Sequence, residues 1–117
     1  MEGKQKGFNM GNNLFNLSDR IVIITGGCGL LGLKHAEAVL QYGGIPVLLD
    51  ISDSIDEKVE ELKKNFNRRC LGFKVDITSE KDLFDVKDSI ISQYGSIDVL
   101  INNAANDPKV DDKQSIV

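Results

Sequence analysis

A chain of 117 residues, 41% hydrophobic and 27% charged, has the length and composition of one globular domain. Its formal net charge of −4, without a long basic run, argues against a nucleic-acid-binding protein. No apolar stretch approaches the roughly 20 residues that a membrane span needs, and no secretory signal is recognisable, so we expect a cytoplasmic protein. Two cysteines and one histidine, not spaced as ligands, predict neither a disulfide framework nor a metal site.

The first recognisable element is an apolar strand that leads into a helix. Residues 1–16 are polar, rich in Gly and Asn and without periodicity, and we expect them to form a mobile leader. The strand Ile21–Thr25 is almost continuously apolar, as expected for a strand that is covered on both faces. A helical pattern follows from about Leu30 to Tyr42 and stops at Gly43-Gly44.

The turn between this strand and helix reads TGGCGLLG and is a candidate anion site. Gly26 and Gly29 would let the backbone approach a phosphate, and Gly32 would let the helix pack close to the strand. The free N–H groups at the start of the helix would face the anion. The sequence therefore predicts that this turn holds the pyrophosphate of a dinucleotide. We interpret Cys28, within the turn, as a small side chain rather than a reactive thiol.

Asp50 ends the second predicted strand, Ile45–Asp50, 18 residues after Gly32. A carboxylate at this point can accept hydrogen bonds from both hydroxyls of the adenosine ribose. It would also repel a 2′-phosphate, since two like charges about 4 Å apart cost about 4 kcal/mol at an effective dielectric near 20. The sequence therefore predicts NAD in preference to NADP. The alternative is that Asp50 is a loop carboxylate at the start of the next helix.

The rest of the chain continues the alternation of helices and strands. Ser52 or Ser54 can cap a second helix, and Ser54 has Glu57 three residues later, a capping-box spacing; Ser79 opens a third helix that ends at Gly95. Apolar side chains form one buried stripe on each helix: Ile55, Val59, Leu62 and Phe66 on the second, and Leu83, Val86, Ile90 and Tyr94 on the third. The two further strands are predicted at Cys70–Val75 and Ile97–Ile101.

Four strands alternating with three helices predict an α/β fold, a doubly wound parallel sheet of about four strands in the order 3-2-1-4. The glycine turn, Asp50, Asp76 and Asn103 would then share the carboxyl edge of the sheet. Asp76 and Ile77 would contact the adenine, or Asp76 would prepare the cap of the third helix. Asn102 and Asn103 would tie the fourth strand to its neighbours, border the ligand, or both, and Asp98 would fix the turn before that strand.

These features together resemble the short-chain dehydrogenase/reductase family between about Leu17 and Ala105. The resemblance rests on Thr25-Gly26-x-x-Gly29-x-x-Gly32, the acid that ends the second strand, Asp76-Ile77 and Asn102-Asn103-Ala104-Ala105. It implies a Rossmann-type fold, binding of NAD(P), hydride transfer to or from a carbonyl or alcohol, and a homo-oligomer in the complete enzyme. It also implies the following cofactor contacts: Gly26, Gly29, Leu30, Leu31 and Gly32 along the pyrophosphate, Asp50 at the ribose, Asp76 and Ile77 at the adenine, and Asn103, Ala104 and Ala105 along the cofactor.

The sequence departs from the family pattern in two small ways. Leu30 stands where single-domain members usually have a glycine, so that the glycine spacing is more like that of nucleotide-sugar epimerases and dehydratases. Members that combine this spacing with Asn-Asn-Ala include enzymes of bacterial surface-sugar pathways, which suggests a sugar or surface-glycan precursor as substrate. Ala105 replaces a common glycine and affects the packing on the nicotinamide side.

The family's catalytic Tyr-x-x-x-Lys pair is not found in this sequence. Tyr42 and Tyr94 are followed four residues later by Pro46 and Asp98, so no catalytic residue is assigned. We interpret residues 17–105 as the cofactor-binding half of an NAD-dependent oxidoreductase and residues 106–117 as the irregular start of a missing half. The chain alone is then expected to be inactive. The alternatives are a nucleotide-sugar epimerase or dehydratase, and an inactive NAD-binding module.

Overall fold

The computed structural model describes residues 16–103, which form seven regular elements in alternating order. The predicted leader, apart from residue 16, lies outside the described residues, and so do Ala104, Ala105 and residues 106–117. The strands are β1 (Ile21–Thr25), β2 (Ile45–Asp50), β3 (Leu71–Lys74) and β4 (Val99–Asn102). The helices are α1 (Leu30–Gln41), α2 (Ile55–Phe66) and α3 (Glu80–Tyr94).

The four strands form one parallel sheet in the order β3-β2-β1-β4, which confirms the predicted topology. The central strands β1 and β2 are buried along almost their whole length, as continuous apolar runs predict. Because β1 lies between β2 and β4, the chain reverses its direction of travel across the sheet there. The carboxyl ends of β1 and β4 flank this switch point, where ligands of open α/β sheets bind.

Helices cover both faces of the sheet, so the doubly wound architecture is confirmed as well. Alternate residues of β1 and β2 point to opposite faces. On one face, side chains of α1 and α2 pack with Val22, Ile24 and Leu48 in a first core cluster. On the other face, α3 contributes Val86 and Ile90 to a second cluster. No helix in the range 16–103 is long and apolar enough to cross a membrane.

Some element boundaries differ from the sequence-based prediction. β3 and β4 are shorter than predicted, and β4 begins two residues late because Asp98 makes a connection of its own to β1. The Asp98 carboxylate accepts a hydrogen bond from the N–H of Ile21 at 2.8 Å, and the Asp98 N–H donates to the Ile21 carbonyl at 3.0 Å. These two hydrogen bonds fix the turn before β4 against the first residue of β1, which confirms the turn role predicted for Asp98.

The two predicted helix caps have different outcomes. Ser79 caps α3 as predicted, because its hydroxyl accepts a hydrogen bond from the N–H of Asp82 at 3.2 Å. Ser54 occupies the N-cap position of α2, but its side chain makes no capping hydrogen bond. Its backbone is not in the extended conformation that a capping side chain requires, and its hydroxyl bonds that of Ser52 instead. The predicted capping box is therefore wrong.

Candidate functional site

The glycine turn, residues 26–29, joins the end of β1 to the start of α1 through a very close backbone approach. Gly26 has a φ of +67°, in the left-handed region that favours glycine. A Cβ added to Gly32, in the first turn of α1, would lie only 2.2 Å from the Gly26 carbonyl oxygen and 2.9 Å from the Cα of Gly27. Only glycine at position 32 lets α1 begin this close to the turn, which agrees with the packing role predicted for it.

The backbone donors of this region fall into two groups. Gly26 and Gly27 donate their N–H groups to the Leu49 carbonyl of β2, at 2.8 and 3.2 Å, and are committed to the fold. At the start of α1, by contrast, Gly29 is the N-cap, no side chain among residues 16–103 caps the helix, and no acidic residue lies in its first turn. The first N–H groups of a helix have no intrahelical acceptor, so those of Leu30 and Leu31 are available to a ligand. They lie at the positive end of the helix dipole.

The side chains of Leu30 and Leu31 surround these donors with exposed apolar surface. They are 80% and 59% exposed, whereas most large aliphatic side chains of the sheet are buried. The two adjacent leucines thus offer apolar surface that a ligand bound at the helix N-terminus could cover. This is consistent with their predicted place along the pyrophosphate.

Asp50 lies beside the glycine turn because β1 and β2 are neighbours and end level with each other. Its carboxylate is half-buried and accepts hydrogen bonds from two backbone N–H groups, those of Cys28 and Ser52, each at 2.9 Å. Its carbonyl accepts the N–H of Val75, which brings the end of β3 to the same edge. The carboxylate and the helix donors are thus both held against the turn.

A chain of polar contacts ties the end of β4 to the glycine turn. The buried hydroxyl of Thr25 accepts the N–H of Asn103 at 2.9 Å and donates to Oδ1 of Asn102 at 3.0 Å. The side-chain amide of Asn103 in turn donates to the Gly26 carbonyl at 3.3 Å. The structural role proposed for the two asparagines is therefore observed. A contact of Asn103 with the cofactor stays a prediction.

Asp76 and Ile77 follow β3 at the same edge of the sheet. The Asp76 carboxylate accepts hydrogen bonds from the hydroxyl and the N–H of Thr78, at 2.6 and 2.9 Å, and these hold its pKa below the ordinary value. This turn leads into the cap of α3, as one of the two interpretations of Asp76 expects. The half-buried side chain of Ile77 packs on the second core cluster. Contact of either residue with adenine stays a prediction.

The Cys28 thiol, at the centre of the turn, is not activated. Partial burial raises its pKa, and the negative charge of Asp50 raises it further. The hydroxyls of Ser54 and Ser52 and the charge of Lys58 act in the opposite direction, but more weakly. This agrees with the interpretation of Cys28 as a small side chain within the turn.

The structure brings most of the predicted site residues together at one place. Those that lie in the glycine turn, in the first turn of α1 or in hydrogen-bond contact with the glycine turn are Gly26, Gly29, Leu30, Leu31, Gly32, Asp50 and Asn103. Ala104 and Ala105 lie outside the described residues. Sequence reasoning missed the linking role of the Thr25 hydroxyl, whose only signal is a polar residue at the end of an apolar strand. It also missed Gly27, where a Cβ would lie 2.6 Å from that of Leu48.

An apolar groove of about 410 Å³ borders the site on the face that α3 covers. It extends from the ends of β1 and β4 to α3 and is lined mainly by aliphatic side chains, among them Ile23, Leu83, Val86 and Leu100. Its polar lining residues are Thr25, Lys87 and Asn102. In the described part of the chain, no group of three or more His, Cys, Asp or Glu side chains could hold a metal ion. The free N–H groups at the start of α1, with the Asp50 carboxylate beside them, suit the binding of an anionic ligand that carries a hydroxylated group next to its anion.

Comparison with known proteins identifies the fold and the family. The short chain dehydrogenase family model matches residues 20–115. The crystal structure of L-sorbose reductase from Gluconobacter frateurii, in complex with NADPH and L-sorbose, superposes with a TM-score of 0.74. It is 31% identical in sequence, and the match covers 80% of this chain and 36% of that one. The sheet is therefore the Rossmann-type sheet of these enzymes.

Curated relatives include dehydrogenases and reductases with different substrates. A peroxisomal 2,4-dienoyl-CoA reductase of Danio rerio is 31% identical over 90 residues, which are 76% of this chain and 30% of that protein. An NAD-dependent glycerol dehydrogenase of Listeria innocua is 31% identical over 90 residues, 77% of this chain and 34% of that protein. The chain thus spans about a third of the length of these two relatives. Since the family model covers most of its residues, the chain belongs to the short-chain dehydrogenase family.

Proposed function

We propose that this chain binds NAD at the glycine turn, as the cofactor-binding part of a short-chain oxidoreductase. The observation that carries the proposal is the pairing of an uncapped helix N-terminus with a carboxylate on the same turn. The helix N–H groups suit the pyrophosphate, and the carboxylate suits the ribose hydroxyls. We assign Gly26, Gly29, Leu30, Leu31 and Gly32 to the first contact and Asp50 to the second. Asp76, Ile77, Asn103, Ala104 and Ala105 are proposed for the remaining contacts.

The shape of the turn fits a dinucleotide for a reason that is independent of family membership. A Cβ at Gly29 would meet its nearest neighbour, the Gly26 carbonyl oxygen, at an ordinary 3.5 Å. The packing of the protein therefore does not require glycine at position 29, in contrast to position 32. A ligand that approaches the backbone at Gly29 explains why a side chain is missing there.

The choice between NAD and NADP must come from this chain's own residues, because the relatives differ: one is named NAD-dependent and another was crystallised with NADPH. Asp50 ends β2 with its carboxylate beside the turn. A 2′-phosphate on the ribose would bring a second negative charge next to it, at a cost of about 4 kcal/mol if the charges are about 4 Å apart. We therefore propose NAD as the preferred cofactor.

Isothermal titration calorimetry of the chain with NAD and with NADP tests this assignment. We expect NAD to bind more tightly, and Asp50→Ala to weaken NAD and remove most of the discrimination. Asp53→Ala is the matched control, because Asp53 has the same charge but is exposed and pairs with Lys74. Equal affinities of the unmodified chain for the two cofactors would contradict the role of Asp50, and failure to bind either would overturn the proposed function.

The bound cofactor would supply the hydride chemistry, while this chain would bind it and orient it. No side chain of the site is assigned to proton transfer, so we propose that residues 1–117 alone bind NAD without turnover. For the complete enzyme we propose a polyhydroxylated alcohol or carbonyl compound as substrate, such as a sugar or surface-glycan precursor. The names of the sorbose and glycerol enzymes support this class. We further propose that 17–105 is the cofactor-binding unit of a cytoplasmic homo-oligomer.

A further inference from the structure

Both oxygens of the Asp50 carboxylate are engaged by the backbone of two different loops. Oδ2 accepts the N–H of Cys28, 22 residues earlier in the chain, and Oδ1 accepts the N–H of Ser52. Each carboxylate oxygen can accept two hydrogen bonds, so both oxygens still have room for a ribose hydroxyl. Recognition of the ribose therefore does not by itself require the bond to Cys28.

The bond to Cys28 continues a row of hydrogen bonds that fastens the glycine turn to the end of β2. The N–H groups of Gly26 and Gly27 both donate to the carbonyl of Leu49. The next N–H along the turn, that of Cys28, donates to the next residue along β2, Asp50. The first two bonds end on a backbone oxygen, whereas the third ends on a side chain. Only the third can be removed by substitution of its acceptor.

We propose that Asp50 is also a positioning residue, which holds the glycine turn in its anion-binding shape. The inference rests on the proposed function, in which Asp50 receives the ribose. Cys28 directly precedes Gly29, the N-cap of α1, so the bond from Asp50 fixes the peptide that leads into the first turn of the helix. Fixing that peptide aims the N–H groups of Leu30 and Leu31 at the ligand. A hydrogen bond to an ionised acceptor is roughly twice as strong as one between neutral groups, which suits this task.

The positioning role and a role in ribose binding alone predict opposite effects on a simple anion. If Asp50 only received the ribose, its removal would leave the turn intact and take a negative charge away. A bare anion would then bind more tightly, because the repulsion between like charges would be lost. If Asp50 positions the turn, its removal misaligns the helix donors, and the same anion binds more weakly.

The test uses the full 117-residue chain, inorganic pyrophosphate as the probe and amide NMR as the readout. In Asp50→Ala we expect the Cys28 amide to exchange its hydrogen at least about tenfold faster, as the loss of one hydrogen bond to a charged group implies. We expect pyrophosphate affinity, followed by the amide shifts of Leu30 and Leu31, to fall by a comparable factor. Asp50→Asn retains one acceptor oxygen and should lie between. Asp53→Ala, the charge-matched control, should change neither quantity.

Unchanged exchange at Cys28, or pyrophosphate binding that is equal or tighter in Asp50→Ala, would overturn the inference, as would a lack of pyrophosphate binding by the unmodified chain. Protection of the amides of Ile24 and Leu48 in the central strands verifies that each variant is folded. If Asp50→Ala does not fold, the same comparison between Asp50→Asn and the unmodified chain decides. Neither readout uses NAD. A chain that fails to bind NAD but shows both expected changes would overturn the proposed function and leave this inference standing.

Discussion

At the scale of single residues, the glycines of the turn have different physical reasons to be glycine. Gly26 is glycine because its φ is positive. Gly32 is glycine because a Cβ at this position would collide with the carbonyl oxygen of Gly26. Gly29 has an extended backbone, with a φ of −77°, and room for a methyl group. Folding therefore accounts for Gly26 and Gly32, whereas for Gly29 the approach of a ligand is the reason that we propose.

This difference predicts separate outcomes for Gly29→Ala and Gly32→Ala. Gly29→Ala should lower the free energy of unfolding by about 1 kcal/mol or less, because glycine and alanine differ by about that much at an N-cap position. It should nevertheless weaken NAD binding about tenfold, or about 1.4 kcal/mol. Gly32→Ala should destabilise the fold by about 1–3 kcal/mol or more, because its methyl group would meet backbone atoms. Urea unfolding and NAD titration measure the two effects. If Gly29→Ala bound NAD normally, the approach of a ligand to this residue would be refuted.

At the scale of elements, the sequence is most informative where structure depends on neighbours along the chain. The β-branched run of β1, the glycine turn and the stop at Gly43 are local signals, and all three correspond to observed elements. The cap at Ser54 failed because the hydroxyl of Ser52 offers an alternative partner that spacing does not reveal. The hydrogen bond between Cys28 and Asp50 could not be predicted either. It joins a backbone donor, which every residue except proline has, to a side chain that is distant in the sequence, so no particular residue at position 28 indicates it.

The two N-cap serines make a matched pair for measuring the value of an actual capping bond. Ser79→Ala removes the acceptor of the Asp82 N–H at the start of α3 and should lower the free energy of unfolding by about 1 kcal/mol. Ser54→Ala removes no capping bond from α2, because its hydroxyl bonds that of Ser52 and acts on the Cys28 thiol instead of on a helix N–H. We expect a distinctly smaller loss. The urea unfolding midpoints of both variants measure the difference, provided that the free energy of unfolding depends on urea concentration with the same slope. An equal loss of unfolding free energy in the two variants would mean that Ser54 caps α2 in solution after all.

At the scale of the whole molecule, the two sides of the sheet are covered to different extents. Among residues 16–103, α1 and α2 together cover one face, whereas α3 is the one helix on the other face and leaves the apolar groove beside it. The strand order could be predicted because right-handed crossovers leave few arrangements of alternating strands and helices. The degree of coverage could not, because it depends on side chains that meet only in the folded sheet. Within the range 16–103, β4 pairs only with β1, so its outer edge is open.

An open edge with apolar side chains predicts that the chain associates with itself through β4. Leu100 is 62% exposed on this strand, and no Lys or Pro of β4 protects the edge. Leu100→Lys should therefore shift the chain toward monomer, as measured by sedimentation velocity over a range of concentrations. Phe84→Lys is the matched control, because Phe84 is 61% exposed but lies on a helix, α3, and not on a strand. If both substitutions reduced association equally, exposed apolar area in general would be responsible, and if neither did, the edge of β4 would not be a site of self-association.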